Sequence, residues 1–160
     1  LLLAAAGVTV ALAMVLTWAT GAAAQVGPVR HCLDSGAFLE GHMGMATVVE
    51  SDSISDWRSH RRVAGCRITA AGVTTRTAGA QAAYTFDVLR EAGWTRTPNP
   101  RDAPNEASLR FRRGGSDCVF SFYTGGLLGT EAEGAVDEAR VPGPGERRYN
   151  FVVLCMEASP

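Results

Sequence analysis

Lysine is absent from this chain: all fifteen basic positions among its 160 residues are arginine. Alanine, glycine and arginine are abundant together, which GC-rich coding explains without any functional choice of guanidinium. Sixteen acidic residues bring the net charge to −1, and that near-balance excludes the broad basic footprint of a general nucleic-acid binder. No two of the four cysteines stand in C-x-x-C spacing, the arrangement a structural zinc site favours. A G-x-S-x-G nucleophile elbow is missing, as are internal repeats and low-complexity tracts. The first 24 residues carry no charge at all.

That uncharged stretch, Leu1–Ala24, is apolar through Trp18 except for Thr9 and Thr17, and it closes on Ala22 and Ala24 in A-x-A order. It reads as a secretory signal peptide, truncated at its start because it has neither a charged n-region nor an initiator Met. An uncleaved membrane anchor is the competing reading, since about 20 apolar residues span a bilayer. No lipobox precedes Cys32. Residues 25–160 then form a single exported domain, periplasmic or secreted. Its four cysteines, Cys32, Cys66, Cys118 and Cys155, imply two disulfides in an oxidising compartment.

Within that domain the periodicities predict an α+β fold. Residues 77–92 read as a helix, with Thr77 as N-cap and a buried stripe of Ala82, Ala83, Phe86 and Leu89. Gly93 and Trp94 fit a Schellman stop in which Trp94 contacts Leu89. Residues 107–123 read as a hairpin around Gly114–Gly115, which pairs Phe111 with Cys118 and Leu109 with Phe120. Strand character recurs near 45–50, near 62–70 and at 148–156, while Ser51–Asp56 reads as polar turn material. Residues 95–105 and 125–146 read as connections, the second with a short helix at 131–140. Around Asp34 the sequence predicts no more than a short helical turn, weakened by Gly36 and Gly41.

The hairpin also predicts the disulfide pairing. Counting from the turn, Cys118 is hydrogen bonded to its hairpin partner, so toward a strand on its other side it takes a non-hydrogen-bonded position. Such pairs approach to about 4.5 Å between Cα atoms, within disulfide reach. Setting 148–156 antiparallel there with Cys155 opposite Cys118 also sets Phe120 against Val153 and Phe122 against Phe151. Cys32–Cys66 is left as the second bridge.

Three kinds of chemistry remain to be weighed. Arg58, Arg61, Arg62 and Arg67 cluster, and Arg110 and Arg112 project together from one face of the hairpin with Arg113 beside them. They form a candidate surface for an envelope protein or an anionic envelope component, against the plain alternative of a solvated face. "EGHMGM" offers His42, Met43 and Met45, soft ligands of the kind that take copper, although core filler explains the methionines as well. Asp56, Ser59 and His60 make a hydrolase triad on paper only, and Glu131/Glu133 and Asp137/Glu138 read as solvated acids. The expectation is a non-enzymatic binding or structural module of the cell envelope. A soft-metal binder is the first alternative and a small hydrolase the second. No cofactor or nucleic-acid partner is expected, no catalytic residue is singled out, and contact with a membrane is expected only through the N-terminal segment if it stays uncleaved.

Overall fold

A computed structural model describes residues 30–97, 108–124 and 126–158; the Leu1–Ala24 segment lies outside them. The elements run α1 (Arg30–Met43), β1 (Ala46–Asp56), β2 (Arg61–Thr74), α2 (Ala78–Glu91), β3 (Thr95–Arg96), β4 (Ser108–Arg113), β5 (Ser116–Tyr123), α3 (Glu131–Ala139) and β6 (Arg147–Glu157). The strands form one antiparallel sheet in the order β1-β2-β6-β5-β4-β3. The α+β expectation holds, and one helix, α1, is longer than the sequence implied.

Alternation along each strand decides which residues meet on a face. One face collects Cys66, Ile68, Ala70, Phe111, Cys118, Phe120, Tyr149, Phe151, Val153 and Cys155, all buried. The phenyl rings meet edge to face, Phe120 with Phe111 at 5.8 Å and Phe122 with Phe151 at 5.4 Å, the geometry their quadrupoles favour. Helices α1 and α2 close this core with Cys32, Phe38, Leu39 and Leu89. The hairpin register is as expected, with Phe111 opposite Cys118 and Leu109 opposite Phe120. So is the next register, with Cys118 opposite Cys155, Phe120 opposite Val153 and Phe122 opposite Phe151. Cys118–Cys155 and Cys32–Cys66 are the two disulfides. Cys66 lies directly opposite Cys155, so one row across β2, β6 and β5 carries three of the four cysteines.

The helix ends follow from a few residues each. Thr77 caps α2 by accepting the Ala80 N–H. At the other end Gly93 takes φ +85°, Trp94 N–H reaches Leu89 O and Gly93 N–H reaches Arg90 O, the two bonds of a Schellman stop. The buried side of α2 differs from expectation: Gln81, Thr85 and Leu89 face inward, while Ala83 is exposed. Gln81 and Thr85 satisfy each other, Thr85 also donating to the Gln81 carbonyl. Helix α1 runs for fourteen residues where only a turn was expected. Gly36 lets it lie close to β1, for a Cβ there would sit 3.1 Å from a Val49 methyl. The Cys32–Cys66 bridge fixes its first turn to β2. It also stops on a left-handed glycine, Gly44 at φ +61°, but with Gly44 N–H on Glu40 O and Met45 N–H on Leu39 O, the αL form of the stop.

The second face is not an open surface. Strand β1 continues through the "SDSISD" segment that reads as a turn, and it bends over that face. Gly65 on β2 permits the bend: a Cβ there would stand 2.3 Å from the Cys155 carbonyl oxygen and 2.8 Å from the Ile54 side chain. Glycine inside a strand marks such close backbone approach. Ile54, Val119 and Met156 are buried beneath the arch. Helix α3 covers the rest of this face through Ala132 and Val136, and Asp137 anchors it by accepting from Asn150 (2.8 Å) and pairing with Arg148 (2.9 Å).

Candidate functional site

The arch of β1 ends on a buried ion network. Arg110, only 2 % exposed, donates to Asp56 at 2.9 Å and to Asp117 at 3.0 Å. Arg112 reaches the same Asp117 oxygen at 3.0 Å, and Arg58 stands 3.9 Å from it. Arg110 was expected on an open recognition surface with Arg112. It lies instead at the centre of a structural tie, because β1 folds across its face and brings Asp56 within reach, a contact 54 residues apart in sequence.

Asp56 also builds the turn between β1 and β2. It accepts the backbone N–H groups of Arg58 and Ser59, while His60, at φ +55°, donates to the Asp56 carbonyl. Burial pushes the Asp56 pKa up, but hydrogen bonds from the Ser59 hydroxyl, Arg110 and the two backbone N–H groups outweigh it and hold the carboxyl well below the usual range. Asp117 behaves alike: burial is overcome by the bonds from Arg110 and Arg112. The Arg110 guanidinium is held charged by the same two carboxylates, against burial. Ser59 is therefore engaged with Asp56 in capping the turn, and Asp56 is engaged with Arg110, which leaves the paper triad with His60 without the geometry of a relay.

Around this tie lies a cleft of about 540 Å³ lined by Arg58, Gly93, Thr95, Arg96, Thr97, Arg112, Arg113 and Gly114. Four elements supply it: the β1–β2 turn, the end of α2, edge strand β3 and the β4–β5 hairpin. Thr95 and Arg96 pair with Arg112 and Phe111, so the short β3 sets Arg96 beside the hairpin. Arg58 and Arg112 join the cleft to the buried network through Asp117, and Arg96 and Arg113 add two more guanidiniums. The described residues lining the cleft include four arginines and no carboxylate. Guanidiniums in this arrangement offer paired N–H donors to a carboxylate, sulfate or phosphate. Trp57, 49 % exposed, adjoins Arg58 on the turn.

A second cavity of about 570 Å³ adjoins the first at Arg113 and Gly114 and is lined also by Arg30, Asp34, Ser35, Ala37, Trp94, Gly115 and Ser116. Its lining mixes guanidiniums with a carboxylate.

Of the arginines singled out from sequence, Arg58 and Arg112 meet at the cleft. Arg61 is exposed at the start of β2, and Arg62 donates across the strands to Ser53. Arg67 pairs with Asp52 at 2.7 Å. Sequence reading missed Arg96, because its segment reads as a proline-punctuated loop, and grouped Arg113 with Arg110 and Arg112. The His42, Met43 and Met45 group divides: Met45 is a 1 % exposed core residue and His42 stacks on Phe38. The Gly44–Met45 step that drew attention is the stop of α1. Glu133 departs from the solvated-acid reading. It is buried and accepts the N–H groups of Leu127, Leu128 and Gly129; although burial raises its pKa, these bonds lower it further. Among the described residues no group of three or more His, Cys, Asp and Glu converges as a metal site, and no helix is long and apolar enough to cross a membrane.

No family model, curated protein or solved structure matches the chain.

Proposed function

We propose that this is an exported, non-enzymatic binding module of the cell envelope, periplasmic or secreted, whose ligand presents an anionic group to the arginine cleft. One observation carries the reading: Arg58, Arg96, Arg112 and Arg113, drawn from three separate elements, line one cleft, with Arg58 and Arg112 standing also at Asp117. A merely solvated basic face needs no such convergence. Two disulfides support an oxidising, extracytoplasmic compartment.

Titration with inorganic sulfate and phosphate, followed by amide NMR, tests it. Shifts are expected to concentrate at Thr95–Thr97 and Arg112–Gly114. Arg96→Gln/Arg112→Gln is expected to weaken binding about tenfold or more, or about 1.4 kcal/mol. Shifts spread evenly over the surface, or an unchanged affinity in the double variant, would remove the cleft as the site.

A further inference from the structure

Independently of the cleft, we infer that the cysteine row is a thiol–disulfide exchange site, in which Cys66, once a small thiol has opened Cys32–Cys66, displaces Cys118 from Cys155. Three features carry this. First, the sulfurs stand in the order the step needs. Strand β6 lies between β2 and β5; Cys66 is directly opposite Cys155, and Cys155 directly opposite Cys118. Residues directly opposed on neighbouring strands share a face, so nucleophile, attacked sulfur and leaving group follow one another across the sheet. An incoming thiolate enters opposite the departing sulfur, which is this arrangement. Cys118 and Cys155 form a non-hydrogen-bonded pair, so Cys66 and Cys155 form the hydrogen-bonded kind, with Cα atoms about 5.5 Å apart, a separation a disulfide bridges. A Cys66–Cys155 bond therefore fits the sheet as it stands.

Second, a hydroxyl stands at the leaving group. Ser35 on α1 is buried, and its Oγ lies 3.6 Å from Cys118 Sγ and 3.6 Å from Cys155 Sγ. Bridged sulfurs carry no proton, so the hydroxyl is the donor. A bond to the departing thiolate lowers its basicity, and a less basic thiol leaves faster. Third, the two bridges differ in access. Cys118–Cys155 joins two inner strands, whereas Cys32 lies in the first turn of α1, and helix ends open more readily than central strands. The cavity of about 570 Å³ reaches this end of α1 at Arg30, Asp34 and Ser35.

The exchange balances. A small thiol, as its thiolate, attacks Cys32 Sγ; the Cys32–Cys66 bond breaks and its electron pair leaves on Cys66. The Cys66 thiolate attacks Cys155 Sγ; the Cys118–Cys155 bond breaks, and Cys118 leaves as a thiolate and takes up the proton that the small thiol lost. The number of S–S bonds is unchanged, and α1 is no longer tied to β2.

Cys32→Ala leaves Cys66 as a thiol without any added reagent. Its fold is checked by amide NMR, and samples held at pH 8 and pH 5 are quenched in acid, alkylated and mapped without reduction. A Cys66–Cys155 peptide with alkylated Cys118 is expected beside Cys118–Cys155, forming at least about a hundredfold more slowly at pH 5 because the thiolate is the nucleophile. Cys118–Cys155 as the only bridge at pH 8 would overturn the inference. So would a Cys66–Cys118 peptide, the mark of scrambling through unfolding. The natural chain, treated with limiting reduced glutathione, is expected to give the same Cys66–Cys155 peptide with glutathione on Cys32, and this arm decides the matter if Cys32→Ala does not fold. No exchange there, or glutathione on Cys66, would overturn the inference. Ser35→Ala is expected to slow release of the Cys118 thiol about tenfold while leaving glutathione addition at Cys32 unchanged. An equal release rate would overturn the hydroxyl's part in the step.

Discussion

Arg110 holds two carboxylates that water cannot reach. Removing the guanidinium leaves Asp56 and Asp117 buried without their main partner, the case in which breaking a buried pair costs about 3–5 kcal/mol. Arg110→Met, which keeps much of the volume, is expected to lose stability of that order in urea denaturation near pH 7. The pH dependence has a definite sign. Asp56, Asp117 and Glu133 have folded pKa values below their unfolded ones, so in the window between them the unfolded chain binds more protons. Their contribution is complete above about pH 5 and is lost as pH falls below about 4, the unfolded carboxyl value, toward the lower folded values. Urea midpoints of the natural chain measured from pH 7 to pH 2.5 are expected to fall on the acid side. In Arg110→Met the two aspartates gain less from being ionised, so the gap between variant and natural chain should narrow as pH falls. A gap that stays constant would mean that Arg110 acts through packing alone.

At the scale of elements, each turn and bend depends on a small number of backbone groups. Glu133 accepts three successive N–H groups from the loop before α3, while Thr130 caps the Glu133 N–H in return. Glu133→Gln is expected to accelerate hydrogen exchange at Leu127, Leu128 and Gly129 selectively, with little change at β5 or β6. The glycines of the chain separate in the same way. Gly134 lies inside α3 with open space where a Cβ would go, so Gly134→Ala is expected to stabilise by about 0.5–1 kcal/mol. Gly65→Ala is expected to destabilise by about 1–3 kcal/mol or more, because its Cβ would meet a backbone oxygen that cannot turn aside. Both shifts can be read from thermal or urea melts. A neutral Gly65→Ala would show that β2 bends for another reason. These elements also show what was legible beforehand. The stop at Gly93–Trp94 is legible as a glycine followed by an apolar residue five positions beyond its contact, Leu89. Gly44–Met45 carries the same signal, although the sequence there also offers soft ligands as an alternative reading. The stripe of α2 was misjudged because Gln81 and Thr85 are polar in isolation and become compatible with burial only by bonding to each other.

For the molecule as a whole, the disulfides join elements that the sheet alone would hold less firmly. Cys118–Cys155 closes 37 positions between neighbouring strands, and Cys32–Cys66 closes 34 positions between α1 and β2. Chain entropy favours each by about 3–4 kcal/mol. Removing the second bridge as Cys32→Ala/Cys66→Ala is expected to lower stability by about 2–5 kcal/mol and to raise hydrogen exchange through α1 before the sheet loosens. Non-reducing peptide mapping checks the pairing itself, and a Cys66–Cys155 peptide would contradict it.

The sequence by itself determined the α+β class, the β4–β5 hairpin and its register, the β5–β6 pairing, both disulfides and the limits of α2. All of these rest on local rules: strand alternation, turn chemistry, capping, and the short Cα separation a disulfide requires. The position of β6 between β2 and β5, the full length of α1 and the bend of β1 over the second face depended on contacts between distant segments. So did the fate of the arginines. Arg110 and Arg112 alternate onto one face in any strand, but whether that face meets water or Asp56 is decided by an arch anchored 54 residues away. Burial of a charge depends on what folds over it, and no local pattern in the sequence records that. The tertiary structure therefore turned one expected surface arginine into a buried tie and assembled the cleft from Arg58, Arg96, Arg112 and Arg113 on separate elements.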